Sequence, residues 1–153
     1  SRPIEQKTST LSQSVQPGVR QAVSAIHIHP SGNFVYVSNR AYSSRNYASG
    51  NIIPNGEDNI ATFKIDKETG RVNLIQNIDT NGSLPRTFSI DPSGRLLIAA
   101  NSEPASKKNE LGQVVQLPVS LNLFKIGDDG KLEQRGNLSF PGEDQLLFWA
   151  GFL

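Results

Sequence analysis

The feature that most constrains this chain is an internal repeat. The stretch Ile28-His29-Pro30-Ser31-Gly32-Asn33-Phe34-Val35-Tyr36-Val37-Ser38-Asn39 lies over Ile90-Asp91-Pro92-Ser93-Gly94-Arg95-Leu96-Leu97-Ile98-Ala99-Ala100-Asn101 at a constant offset, with Ile, Pro, Ser, Gly and Asn recurring in place. A second match follows in the same order. Phe63-Lys64-Ile65-Asp66-Lys67-Glu68-Thr69-Gly70-Arg71-Val72 recurs as Phe124-Lys125-Ile126-Gly127-Asp128-Asp129-Gly130-Lys131-Leu132. Two ordered matches at nearly one offset define a tandem unit.

Each unit reads as four short strands. In the first they are expected over 24–29, 34–39, 59–66 and 72–78, with a long connection over 40–58. In the second they are expected over 86–91, 96–101, 119–126 and 132–140. The Pro-Ser-Gly triplets are turn chemistry between apolar alternations. Ile60, Thr62 and Lys64 alternate with Ala61, Phe63 and Ile65, the period of a strand, and no segment carries an apolar period of helical length. The fold class is all-β. A tandem four-stranded antiparallel unit is a blade of a β-propeller. Residues 8–15 read as the last strand of a preceding blade and 145–152 as the first strand of a further one.

Two blades and two odd strands do not close a ring of roughly four to eight blades, and open sheet edges invite pairing. The expected organisation is the C-terminal part of one propeller domain. Residues 1–22 supply a preceding blade's last strand and a linker, 23–80 and 84–140 are blades, and 143–153 is a ring-closing strand. The remaining blades come from a longer chain or from another copy. Ser1 at the start, no Met anywhere and no apolar leader segment read as a processed or cut terminus.

Fifteen Lys and Arg against 14 Asp and Glu leave a formal charge of +1, which offers no electrostatic reason to expect nucleic acid. The absence of Cys excludes disulfides, zinc-thiolate sites and thiol catalysis, and suits cytoplasmic and periplasmic or secreted settings alike. No run reaches the roughly 18–20 apolar residues of a membrane span. No spacing suggests calcium or zinc. Asp66, Asp91, Asp128 and Asp129 fall in turns, where their own side-chain hydrogen bonds explain them. Asn81-Gly82-Ser83 and Asn137-Leu138-Ser139 match the N-glycosylation triplet, although Asn81-Gly82 is also good turn chemistry.

The stretch Ala25-Ile26-His27-Ile28-His29-Pro30-Ser31-Gly32-Asn33-Phe34-Val35-Tyr36-Val37-Ser38-Asn39-Arg40 resembles the seven-bladed lactonase propellers, as does Pro85-Arg86-Thr87-Phe88 running on to Asn101. That family includes propeller-type 6-phosphogluconolactonase and carboxy-cis,cis-muconate cyclase. The resemblance covers about residue 20 to residue 140, the last third of such a protein. The connections 40–58 and 102–118 are long for the family, and the tail Leu147-Phe148-Trp149-Ala150-Gly151-Phe152-Leu153 departs from its ending. The resemblance implies hydrolysis of a sugar-acid lactone such as 6-phosphogluconolactone, with a small-molecule lactone or sugar acid as partner and no cofactor. The alternative is a non-catalytic propeller that binds a glycan or protein through its channel rim.

Hairpin geometry selects candidate residues. The first strand of a blade starts where the second ends, so Arg86 and Asn101 meet at one rim, and Arg40 reaches the same rim one blade earlier. The Pro30 and Pro92 turns face the opposite rim. Lactone opening is acyl transfer: water attacks the carbonyl and charge grows on its oxygen. A guanidinium stabilises that oxyanion or holds a substrate carboxylate or phosphate. A base must activate the water. His27, mid-strand and innermost, is preferred over His29, which stands in the turn. Arg40, Arg86 and His27 are therefore the candidate catalytic residues, and Asn101, Glu57 and Glu143 the candidate substrate-binding residues, with the two glutamates as further possible bases. Each has a structural alternative: an inter-blade ion pair or carbonyl clamp for the arginines, local hydrogen bonds for Asn101, and core packing for His27. Trp149 lines a sugar pocket or packs at ring closure, and 42–55 reads as a rim loop.

Overall fold

The computed structural model describes residues 6–15, 19–42, 56–108, 111–140 and 146–152, and among them every regular element is a strand. The elements are β1 (Arg20–Ile28), β2 (Phe34–Tyr42), β3 (Asn59–Ile65), β4 (Val72–Asp79), β5 (Pro85–Ile90), β6 (Leu96–Asn101), β7 (Ala105–Lys108), β8 (Val114–Leu117), β9 (Val119–Ile126) and β10 (Leu132–Phe140). One antiparallel sheet runs β1-β2-β3-β4. The second is the same meander, β5-β6-β9-β10, with the β7-β8 hairpin set into the connection between β6 and β9. The two units are blades.

The repeated turns show why the motif is spelled as it is. Gly32 and Gly94 have φ of 69° and 73°, which an L side chain rarely adopts. Each turn closes with matching backbone bonds, Gly32 N–H to His29 O at 2.8 Å and Gly94 N–H to Asp91 O at 2.8 Å. Asp91 also accepts from the Arg95 and Leu96 amides, at 2.8 and 2.6 Å, so its side chain serves the turn as expected. The bulges recur too: β1 against β2 slips between Val23 and Ile26, and β5 against β6 between Pro85 and Thr87.

The blades meet through β1 and β5. Ser24 Oγ donates to Arg86 O at 2.7 Å, and the His27 ring meets Phe88 edge-on with centroids 4.7 Å apart. Behind this contact lies one apolar core. Phe34, Tyr36 and Ile60 of the first blade pack with Phe88, Leu97, Ala99, Phe124, Ile126 and Leu132 of the second. Burying each large side chain stabilises by about 1.5–3 kcal/mol. Polar bonds fix the register. Tyr36 Oη donates to Gly130 O at 2.8 Å, and burial, followed by the charge of Asp129, pushes its ionisation well above the usual tyrosine range. Gln76 brackets Leu132, donating to its carbonyl at 3.0 Å and accepting from its amide at 2.7 Å.

The repeat assigns the other face of the first blade. Phe88, Ile90, Leu97, Ala99 and Phe124 receive blade one, and the matching positions in blade one are Ile26, Ile28, Val35, Val37 and Phe63. They lie together on the far face, where Val35, Val37, Ala61 and Phe63 form a second apolar cluster. Phe88 is 1% exposed, whereas Ile26 and Ile28 are 67% and 65% exposed.

Three expectations need amendment. Residues 8–15 form no strand: instead the segment crosses the far face of blade one and side chains satisfy its backbone. Thr10 O accepts from Asn39 Nδ2 and Asn77 Nδ2, both at 2.8 Å, and Gln6 pairs with the Val72 amide and carbonyl. The described residues 146–152 form no strand either, bonding to the sheet through the Leu147 amide on Ser102 O at 3.1 Å. The long connection 102–118 carries the β7-β8 hairpin at its centre. Finally, β1 begins at Arg20 and β2 runs on to Tyr42, since the Arg20↔Tyr42 ladder continues past the bulge.

Tyr36→Phe removes the hydroxyl bond to Gly130 O and leaves a buried carbonyl without it, so it should cost about 1–2 kcal/mol. Gly130, at φ 80°, lies where an added Cβ would sit 2.4 Å from the Phe34 ring. Gly130→Ala should therefore cost more, about 2 kcal/mol or above. Denaturant unfolding of both variants checks the order, and equal stability for Gly130→Ala and the parent contradicts the packing described.

Candidate functional site

The rim opposite the Pro30 and Pro92 turns is built from the start of β1, the end of β2, the residues before β3, the start of β5 and the residues after β6. Its pin is Asp58. This carboxylate is fully buried, and its Oδ1 accepts from Ala41 N at 3.0 Å and from Leu84 N at 3.1 Å, one amide from each blade. Its carbonyl accepts from both Thr80 N and Thr80 Oγ1 at 3.0 Å. Leu84 holds φ at 54°, a strained conformation for a branched residue that costs on the order of 1–3 kcal/mol. Ser102 opposes that strain by donating its amide, at 3.1 Å, and its hydroxyl, at 2.8 Å, to Leu84 O.

Asn101 belongs to this scaffold. It is buried, and its Nδ2 donates to Thr80 O at 2.9 Å and Ser120 Oγ at 3.0 Å. Gly82 lies so close that a Cβ there would sit 2.1 Å from that nitrogen. Asn39, its counterpart, likewise donates to Asn59 Oδ1 at 2.7 Å. Both asparagines stand late in a second strand and fasten it to its neighbours.

Arg40 and Arg86 do lie at this rim. Arg40 pairs with Ala22 in the β1-β2 ladder, and Arg86 stands in the bulge between the Pro85↔Asn101 and Thr87↔Ala100 pairs. Arg86 is exposed, and its guanidinium lies over the Phe148 ring at 5.4 Å, a cation–π contact. Phe148 and Trp149 are 57% and 71% exposed, so aromatic surface flanks the cation. Arg40 is half-buried, and its charge acts on Glu103, which follows β6. Burial holds the Glu103 carboxyl above the ordinary carboxylate range, and Arg40 draws it part of the way back. Sequence reasoning missed Glu103. Its one signal was its place in the repeat, beside Ser102, the counterpart of Arg40.

His27 is elsewhere. It pairs with Tyr36, five residues along β1 from the Ala22 that pairs with Arg40, about 15 Å at strand spacing. Its exposed ring meets Phe88 edge-on. The expected trio is thus divided, with two arginines at the rim and the histidine toward the other end of the innermost strand. Glu57 is at the rim but is spoken for. It accepts from Ser12 N and Gln13 N at 3.0 Å, from Ser12 Oγ at 3.1 Å and from Asn59 Nδ2 at 2.6 Å. Desolvation raises its pKa, but these donors outweigh that and hold it below the ordinary value. It borders an open cleft of about 520 Å³ with Leu11, Gln13, Val19 and Gln21. Glu143 and most of the expected 42–55 rim loop lie outside the described residues.

A depressed carboxylate pKa means that the bonds to Ser12 and Gln13 hold at and above neutral pH and fail as pH falls through the acid range. Amide-exchange protection at Ser12 and Gln13 should therefore drop several-fold on acidification, and Glu57→Gln should show the drop already at neutral pH. Protection indifferent to both changes contradicts this docking.

Comparison with known proteins agrees with the geometry. The family model "Lactonase, 7-bladed beta-propeller" matches residues 5–107. A 6-phosphogluconolactonase of Formosa agariphila is 39% identical over 101 residues, 63% of this chain and 25% of that protein. One of Bacillus subtilis (strain 168) is 30% identical over 105 residues, 65% of this chain and 26% of that protein. The crystal structure of a protein from Lactobacillus plantarum superposes with a TM-score of 0.60 at 23% identity, covering 88% of this chain and 30% of that one, and bears on the fold alone. The matched stretch thus spans about a quarter of each curated relative's length. Two meandering blades joined face to strand, with a family match over most of the repeat, make this chain a member of the seven-bladed β-propeller lactonase family.

Proposed function

We propose that the protein hydrolyses a lactone, and that its substrate is a sugar-acid lactone such as 6-phosphogluconolactone, the substrate named for its curated relatives. The observation that carries this reading is the pair of arginines on neighbouring blades at one rim, in a chain of a lactonase family. Water attacks the lactone carbonyl, and its oxygen gains negative charge as the tetrahedral intermediate forms. Arg86, exposed beside Phe148, is suited to meet that charge or the substrate's own anion through its forked donors. Collapse breaks the ring C–O bond and releases the hydroxy acid. Asn101 supports the rim rather than touching substrate, since its nitrogen is engaged by Thr80 and Ser120.

In the intact protein, Arg86→Ala should lower kcat/KM for 6-phosphogluconolactone by about 10²-fold. The link to the first blade uses the Arg86 carbonyl, so the fold should survive the change. His27→Ala should leave the rate within about twofold, given its separation from Arg40 by roughly 15 Å of strand. Proton release in weakly buffered solution measures both. An Arg86→Ala variant as active as the parent removes that side chain from the chemistry. Failure of the intact protein to open any sugar lactone favours instead a propeller that binds a glycan or protein at this rim.

A further inference from the structure

Arg86 is held at the rim by a ring and not by an acid. Its guanidinium carbon lies 5.4 Å from the centroid of the Phe148 ring, and among the described residues its N–H groups meet no carboxylate and no carbonyl. An exposed arginine side chain gives up rotamer freedom when it takes one position, so a contact has to hold it there. A carboxylate would do so by occupying the donor fork. A ring face does so from one side and leaves the fork open. The cation is therefore fixed in place and still able to receive an anion.

The backbone explains why the ring lies there. Ser102 donates its amide and its hydroxyl to Leu84 O, just before Arg86 in the chain, and its carbonyl receives the amide of Leu147, the neighbour of Phe148. One buried serine thus ties together the two stretches that carry the cation and the ring. Each is braced further. Leu84 N donates to Asp58, and Arg86 O accepts from Ser24 Oγ of the first blade at 2.7 Å. Past the ring, Ala150 is buried and Trp149 folds back against Gly151, where an added Cβ would sit 2.6 Å from the indole. Of the two adjacent aromatics, Phe148 is the one that meets Arg86.

We propose that Phe148 is a positioning residue for the reaction at this rim, an assignment that rests on the lactonase reading above. Its ring face holds the Arg86 guanidinium where the fork receives the negative charge of the substrate or of the tetrahedral intermediate. Phe148 acts through Arg86 and takes part in no bond change. A cation over a ring at an exposed site is a weak contact, so losing the ring slows the reaction far less than losing the guanidinium.

The test uses the full-length protein with 6-phosphogluconolactone. Phe148→Leu, which keeps an apolar side chain but has no π face, should lower kcat/KM about fivefold. Phe148→Trp offers a stronger face and should recover the parent rate to within about twofold. In an Arg86→Ala background, Phe148→Leu should change the rate by less than about twofold, because the group it positions is gone. A purely structural role would slow both backgrounds alike. If Phe148→Leu matches the parent to within about twofold while Arg86→Ala is slow, the assignment of Phe148 falls and the lactonase reading stands. A loss that persists in the Arg86→Ala background, or that Phe148→Trp shares, also overturns it. If the parent protein opens no sugar lactone, both readings fall together.

Discussion

The structure depends on one apolar contact, the seating of the first blade on the receiving face of the second. Phe34, Tyr36 and Ile60 enter a surface made by Phe88, Leu97, Ala99 and Phe124. A hydrophobic contact alone would allow sliding, because apolar burial has no direction. The direction comes from a few polar bonds placed inside or beside the core: Tyr36 to Gly130, Gln76 to Leu132, and Ser24 to Arg86. Together they set β1 beside β5 at one height, and that height puts the ends of both blades at a common rim.

From that alignment the rim follows. Asp58 takes one amide from each blade, so a single buried carboxylate holds the end of β2 and the approach to β5 together. Such a group is tolerable inside because its charge is met by hydrogen bonds; removing them would leave it costly. The strained Leu84 is kept in place by the same set of bonds. Sharp turns, buried asparagines and clamped amides all sit where the blades join, and the more exposed polar groups, Arg86 and Glu103, are mounted on this rigid base.

Much of this was legible in the sequence, for reasons that can be named. The eight blade strands and their turns follow from period-two alternation and from glycines that must take positive φ, and the two asparagines late in second strands came with the repeat. The rim positions of Arg40 and Arg86 follow from hairpin geometry alone. The place of His27 did not, because its height depends on where β1 starts. A strand beginning at 24 makes residue 27 central, whereas one beginning at Arg20 puts it near the far end. The segment 8–15 has strand-like spacing but found side-chain partners, a choice made by tertiary contacts that local pattern does not encode. Glu103 was missed because partial burial beside Arg40 is a property of two blades packed together, invisible in either stretch alone. The β7-β8 hairpin was missed because polar residues such as Ser106 and Gln116 blur its alternation.

The most direct measurement is a crystal structure of the intact protein with the hydroxy-acid product of 6-phosphogluconolactone opening bound. The expected result is product seated at the rim formed by the end of β2, the start of β5 and the end of β6, with an oxygen on Arg86 and the sugar against the first and second blades. Product held instead at the rim of the Pro30 and Pro92 turns, or wholly on blades outside this chain, would contradict the assignment.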